Sequence, residues 1–136
     1  MPPTAVDRIA RGLSAGLSAK RLWKAVLLLL LVGVAVLALM SKPPSDAGFG
    51  WDKLNHALAF TALGFSAYLG YPSARDTRVV RLCLLLIAFG ALIEVLQHYV
   101  PGRSSEWGDL LADSIGAVGG AVAAASALEA SVRRSS

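Results

Sequence analysis

Four apolar blocks separated by short polar segments set the reading of this chain. Ala25–Met40 is sixteen residues without a charge, and Trp23 and Lys24 stand at its mouth as interfacial anchors do. With Ser41 and a snorkelling Lys24 it is just long enough to cross a bilayer. Leu54–Tyr71 is a second, weaker block, interrupted by His56 and Thr61. The third runs from Val80 to Val100 and is stopped by Pro101-Gly102. The fourth, Leu110–Leu128, is rich in alanine and glycine. Between the first two, Ser41–Trp51 carries Pro43-Pro44 and two glycines and reads as a loop, with Asp52 placed to cap the next helix. Pro72–Arg78 reads as a polar turn.

Composition turns these blocks into a class. Of 136 residues, 55% are hydrophobic and 16% charged, against about one-quarter charged in a soluble domain. The expectation is an all-α polytopic membrane protein, a bundle of four transmembrane helices over residues 25–41, 54–71, 80–100 and 110–128. Residues 1–24 form a basic tail, in which Val6, Ile9, Ala10, Leu13 and Leu17 fall at helical spacing and allow an amphipathic helix on an anionic membrane surface. Residues 129–136 form a second tail. A cleaved signal peptide is the alternative reading of the first block. The single cysteine, Cys83, excludes a disulfide framework within the chain and reads as apolar filler.

The net charge of +4 fits membrane orientation better than nucleic-acid binding, for which no motif is present. Arg8, Arg11, Lys20, Arg21, Lys24, Arg75, Arg78, Arg81, Arg133 and Arg134 lie on one side of a four-span topology, and only Lys42, Lys53 and Arg103 on the other. Both termini are therefore expected to be cytoplasmic in a bacterial inner membrane, with the loops 41–52 and 101–108 facing outward.

That topology gathers the polar residues embedded in the apolar blocks. Asp52, Lys53 and His56 open the second span, Glu94, Gln97 and His98 close the third, Arg103, Glu106 and Trp107 lie in the outer loop, and Asp109 and Asp113 open the fourth. The i,i+3 and i,i+4 spacings of Asp52/His56, Lys53/His56, Glu94/Gln97 and Asp109/Asp113 put each pair on a shared helix face. Below them the stripes continue in small residues, including Gly64, Gly90, Gly116 and Gly120, which let membrane helices approach closely. Taken singly, Asp52 and Asp109 are helix caps, Trp107 an interfacial aromatic, and His98 a side chain directed at headgroups. Capping explains poorly why Glu94, His56 and Asp113 all lie below the surface on small-residue seams, and ionisable residues at that depth mark a functional site.

These residues resemble the VanZ-like family of bacterial membrane proteins. The motif D-K-x-x-H reads Asp52, Lys53 and His56; E-x-x-Q reads Glu94 and Gln97; and the G-R-x-x-x-W-x-D stretch before G-x-x-x-G reads Gly102, Arg103, Trp107, Asp109, Gly116 and Gly120. The resemblance covers roughly residues 25–128. Asp113 departs from it, because the family pattern usually has Asn there. The resemblance implies a small multi-helix protein of the cell envelope, in a family whose founding member is associated with low-level teicoplanin resistance; it implies no reaction.

Several chemistries suit such a constellation. One is a binding pocket of Asp52, Lys53, His56, Glu94, Gln97, Arg103, Trp107, Asp109 and Asp113 for a lipid-linked cell-wall precursor, glycan or other envelope molecule. There Lys53 and Arg103 take phosphate or carboxylate, and the acids take sugar hydroxyls. Another is catalytic, with His56 or Glu94 as general base and Arg103 stabilising a developing anion. The spacing Arg103-x5-Asp109-x3-Asp113 resembles the R-x5-H-x3-D of membrane lipid phosphatases, but Asp109 stands where the nucleophilic histidine would. No metal or cofactor is expected from a known ligand motif; a divalent ion on His56, Glu94, Asp109 and Asp113 is the alternative.

Overall fold

A computed structural model of the chain describes residues 5–41, 52–72, 77–101 and 106–135, all in or next to four α-helices. They are α1 (Ala5–Leu39), α2 (Asp52–Gly70), α3 (Thr77–Gln97) and α4 (Trp107–Ser135). Three contain a stretch long and apolar enough to cross a membrane: Ala15–Leu39, Thr77–Gln97 and Trp107–Arg134. The expected loop around Pro43-Pro44, the centre of the 72–78 turn, and Gly102 and Arg103 lie outside the described residues.

Three boundaries differ most from the sequence reading. The basic tail and first span are one helix of 35 residues, about 50 Å long at 1.5 Å per residue. No proline separates Lys20–Lys24 from the apolar run, and straight-chain residues there favour helix. The fourth helix likewise runs through to Ser135, because nothing after Leu128 breaks it. The third ends three residues early. Pro101 disfavours helix in the residue before it, and the chain leaves α3 through short turns, Tyr99 N–H to Leu96 C=O at 3.0 Å and Val100 N–H to Gln97 C=O at 3.0 Å.

The helix with the lowest hydropathy is the most central. α2 packs on all three others, most extensively on α4, and α1 and α4 do not pack on each other among the described residues. Lys53, Asn55 and His56 keep α2 from qualifying as a membrane span by composition, yet such residues are tolerated in a helix whose neighbours are protein. Phe60, Leu63 and Ala67 of α2 form the centre of the core with Leu27 of α1, Leu86 of α3 and Ala117 of α4. The Phe60 and Phe89 rings lie 6.2 Å apart, and Trp23 meets Phe65 edge-on at 5.5 Å.

α2 and α4 run parallel in near backbone contact. A Cβ on Gly116 would strike the Ala57 carbonyl, one on Gly120 the Thr61 carbonyl, and one on Gly64 the Ala117 carbonyl. Only hydrogen fits at these positions. Outside this seam the molecule is apolar and open: Leu29 of α1 is 72% exposed and Leu85 of α3 68%, with Leu84, Leu92, Ile115 and Val122 also exposed. Apolar surface of this extent on helical walls is what a bilayer covers.

The seam predicts a contrast between neighbouring glycines. Gly120→Ala should lower the stability of the detergent-solubilised protein by about 1–3 kcal/mol, because the backbone opposite cannot yield. Gly119→Ala, with nothing within 4 Å of its new methyl, should leave stability unchanged or slightly raised. Unfolding followed by circular dichroism measures both; equal effects would contradict the seam.

Candidate functional site

The parallel packing of α2 and α4 brings their first turns together. Lys53 and His56, on α2, therefore meet Asp109 and Asp113, on α4, one turn apart in each helix. The His56 ring shares a hydrogen bond between Nδ1 and Asp113 Oδ1 at 2.9 Å. Lys53 Nζ donates to Glu106 Oε2 at 2.6 Å and reaches Asp109 Oδ1 at 3.4 Å. The antiparallel α3 supplies Glu94 from the other side, and its Oε2 accepts the Glu106 backbone N–H at 3.1 Å. A ring nitrogen of His56 and one carboxylate oxygen each of Glu94 and Asp109 lie within 4.8 Å of one another. Three helices and the segment leading into α4 are thus joined through one polar cluster.

Burial increases with depth along α4. Glu106 is exposed and Asp109 has a side chain 4% exposed, while that of Asp113 is 1% exposed. Asp109 also stands in the first turn of α4, where the helix dipole favours a negative charge. The Glu106 carboxyl, outside the spans, is held below its ordinary value of 4.5 by the hydrogen bond from Lys53. Its pairing is therefore intact above that value and is lost only as pH falls through the lowered one. Among the described residues, Glu94 Oε1, Asp113 Oδ2 and Gln97 Oε1 are buried oxygens without a hydrogen-bond partner. A Cβ on Gly90 would meet Asp113 Oδ2 at 2.7 Å, so the α3 glycine makes room for this carboxylate.

Gln97 is not part of the cluster. Its Nε2 donates to the Ala38 carbonyl at 3.1 Å, at the open C-terminal end of α1. A residue three positions along a helix is rotated by about 60° from the first. That rotation carries Gln97 to α1 while Glu94 faces α2 and α4. The spacing of the E-x-x-Q pair could not show this, since it depends on where α1 ends. Asp52 opens α2, but its side chain, like all of Arg103, lies outside those described.

Beside the cluster runs a groove of about 350 Å³ between α3 and α4. Ala91, Val95 and Leu110 line it, His98, Tyr99 and Trp107 stand around it, and Glu94 and Glu106 give it a polar end. Trp107 is 88% exposed and Tyr99 is also exposed, the placement of aromatics at a membrane interface. Glu106, His98 and Tyr99 were not assigned to the binding set by sequence reasoning; the groove is what connects them to it.

The arrangement supplies a partly buried imidazole held by a carboxylate, a nearby second carboxylate, and an ammonium at the rim. Such a set can accept or donate protons, bind hydroxyls, or ligate a cation.

In comparison with known proteins, the family model described as VanZ/LLP1 matches residues 18–128, most of the chain. No curated protein and no solved structure gives a match.

The pairings predict unequal stabilities. Asp113→Ala should cost about 1–3 kcal/mol, because it leaves the His56 ring nitrogen without its acceptor in the interior. Glu106→Gln should cost far less, as expected of an exposed ion pair. Thermal unfolding of the two purified variants distinguishes them.

Proposed function

Because the chain belongs to the VanZ-like family, we propose that it is a four-span protein of the bacterial inner membrane that binds an amphiphilic envelope molecule, such as a lipid-linked cell-wall precursor. The headgroup sits on the polar cluster and an acyl or prenyl chain lies in the α3–α4 groove. The observation that carries this reading is the continuity of the two: Glu94 and Glu106 belong both to the cluster and to the polar end of an otherwise apolar groove. A ligand with one polar and one apolar end matches such a site. Lys53 takes a phosphate or carboxylate at the rim, Arg103 is assigned the same role by its charge, and the carboxylates accept sugar hydroxyls.

α2 counts as the fourth span in this reading. Lys53 and His56 face the acids of α4, with Glu94 of α3 beside His56, and a helix surrounded by its neighbours can carry such residues. The opposite end of the bundle supports cytoplasmic termini. There Lys20, Lys24, Arg78 and Arg81 line one cavity, with Lys24 4.5 Å from the Tyr71 ring centroid and Arg78 4.2 Å from that of Tyr68. Basic residues concentrate on the cytoplasmic side. The polar cluster then faces outward, where sequestration of a surface precursor offers a route to the teicoplanin resistance associated with the family's founding member.

A second reading is favoured by the His56–Asp113 pair. A carboxylate that holds an imidazole in one orientation beside Glu94 is an arrangement suited to general acid–base chemistry on an envelope lipid or glycan, with His56 and Glu94 as the acting groups.

Native mass spectrometry of the purified protein tests the first reading. Wild type should retain an envelope lipid that Lys53→Ala and Arg103→Ala each release at least partly; equal retention by all three refutes the assignment of both cations. For the second, His56→Ala and Glu94→Gln should abolish turnover of that lipid while folded protein still accumulates. A tag at either terminus that reacts from outside intact cells would refute the orientation.

A further inference from the structure

We propose that the polar cluster is a divalent-cation site in which His56, Glu94 and Asp109 ligate one ion of the first-row transition class, such as Mn²⁺ or Zn²⁺, and Asp113 positions the histidine. This rests on the reading of the same site as the seat of an anionic headgroup, and it names what that headgroup would meet.

Proximity is the first observation. One ligand atom from each of the three residues lies within 4.8 Å of the other two. The residues come from three helices, so the set is a product of the packed bundle and does not arise along one chain segment. Atoms about 2.1 Å from a common ion stand roughly 3–3.5 Å apart. Small side-chain adjustments therefore take this set to ligating distance.

The second observation is unsatisfied acceptor capacity in the interior. Glu94 Oε1, an oxygen of a proposed ligand, is buried without a hydrogen-bond partner among the described residues. Buried carboxylate oxygens are stable when paired or when they coordinate a metal. Charge points the same way. Glu94, Glu106, Asp109 and Asp113 face a single described ammonium, Lys53, which already serves Glu106 and Asp109. A site so acidic repels a phosphate, and a divalent ion reverses that locally.

The third observation is the orientation of His56. His56 Nδ1 lies 2.9 Å from Asp113 Oδ1, and the neutral tautomer that donates from Nδ1 carries its lone pair on Nε2. Metal-binding histidines nearly always donate their other ring N–H to a carboxylate or carbonyl in this way. One imidazole and two carboxylates suit a first-row divalent ion better than Mg²⁺ or Ca²⁺, which take oxygen ligands alone. Asp113, where this chain departs from the family's Asn, is then a positioning residue. Asn could still accept from Nδ1–H, but without the charge that raises the basicity of the ring.

Mn²⁺ titration of the full chain in lipid nanodiscs, followed by electron paramagnetic resonance after treatment with EDTA, tests this. The expected result is about one Mn²⁺ per chain, competed by Zn²⁺. Glu94→Gln and Asp109→Asn should weaken binding more than tenfold, and Asp113→Asn by about tenfold with the stoichiometry kept. Glu129→Gln, which alters an exposed acid far along α4, should leave it unchanged. Helical circular dichroism confirms that each variant is folded. Absence of binding to wild type, equal binding by the Glu94 and Asp109 variants, or binding that emerges only after Arg103→Ala would each overturn the proposal. Retention of envelope lipid separates the two readings. Lipid held by a protein that takes up no Mn²⁺ overturns the cation site and leaves the headgroup reading intact. Mn²⁺ bound by a protein that holds no lipid supports the cation site and overturns the headgroup reading.

Discussion

The close approach of α2 to α4 is the constraint on which the rest of the molecule depends. At Gly64, Gly116 and Gly120 one backbone lies against the next with no room for a methyl group. In a bilayer the solvent is as apolar as the side chains, so helices gain little from hiding leucines from lipid. Contact energy then comes from dispersion between closely packed atoms, and glycine permits the shortest approach. The abundance of glycine and alanine in α4, a poor composition for a soluble core, is suited to this function.

The same approach builds the polar cluster. With α2 and α4 in parallel register, Lys53 falls beside Asp109 and His56 beside Asp113. A slip of one turn would bury Asp113 without the imidazole, at the cost of an unpaired buried carboxylate. Packing below and pairing above therefore select the same register, and consistency of this kind favours one structure over its competitors. Gly90 contributes from α3, since a side chain there would collide with Asp113.

Glu94, His56 and Asp113 stood out in the sequence because charge inside an apolar run is costly, and the antiparallel topology implied that their ends would meet. Gln97 was legible as a buried polar residue but not as the partner of α1, because the Ala38 carbonyl it serves is a backbone group with no sequence signature. The α3–α4 groove was not legible at all. It depends on how far apart two helices stand, and neither the period of a helix nor its composition encodes that distance.

Pattern and composition alone determined that the chain is helical, apolar on its outside and polar at one end, since a bilayer admits only segments that satisfy their own backbone hydrogen bonds. The i,i+3 and i,i+4 spacings determined which residues share a face. Tertiary structure decided that α2, the least hydropathic helix, is the central one, and that Asp113 pairs with His56 while Glu94 meets the Glu106 backbone. It also decided that Gln97 belongs to α1. The physical reason is that a helix fixes the direction of each side chain relative to its own axis, whereas the rotation and spacing of one axis against another arise only when the glycine seams close.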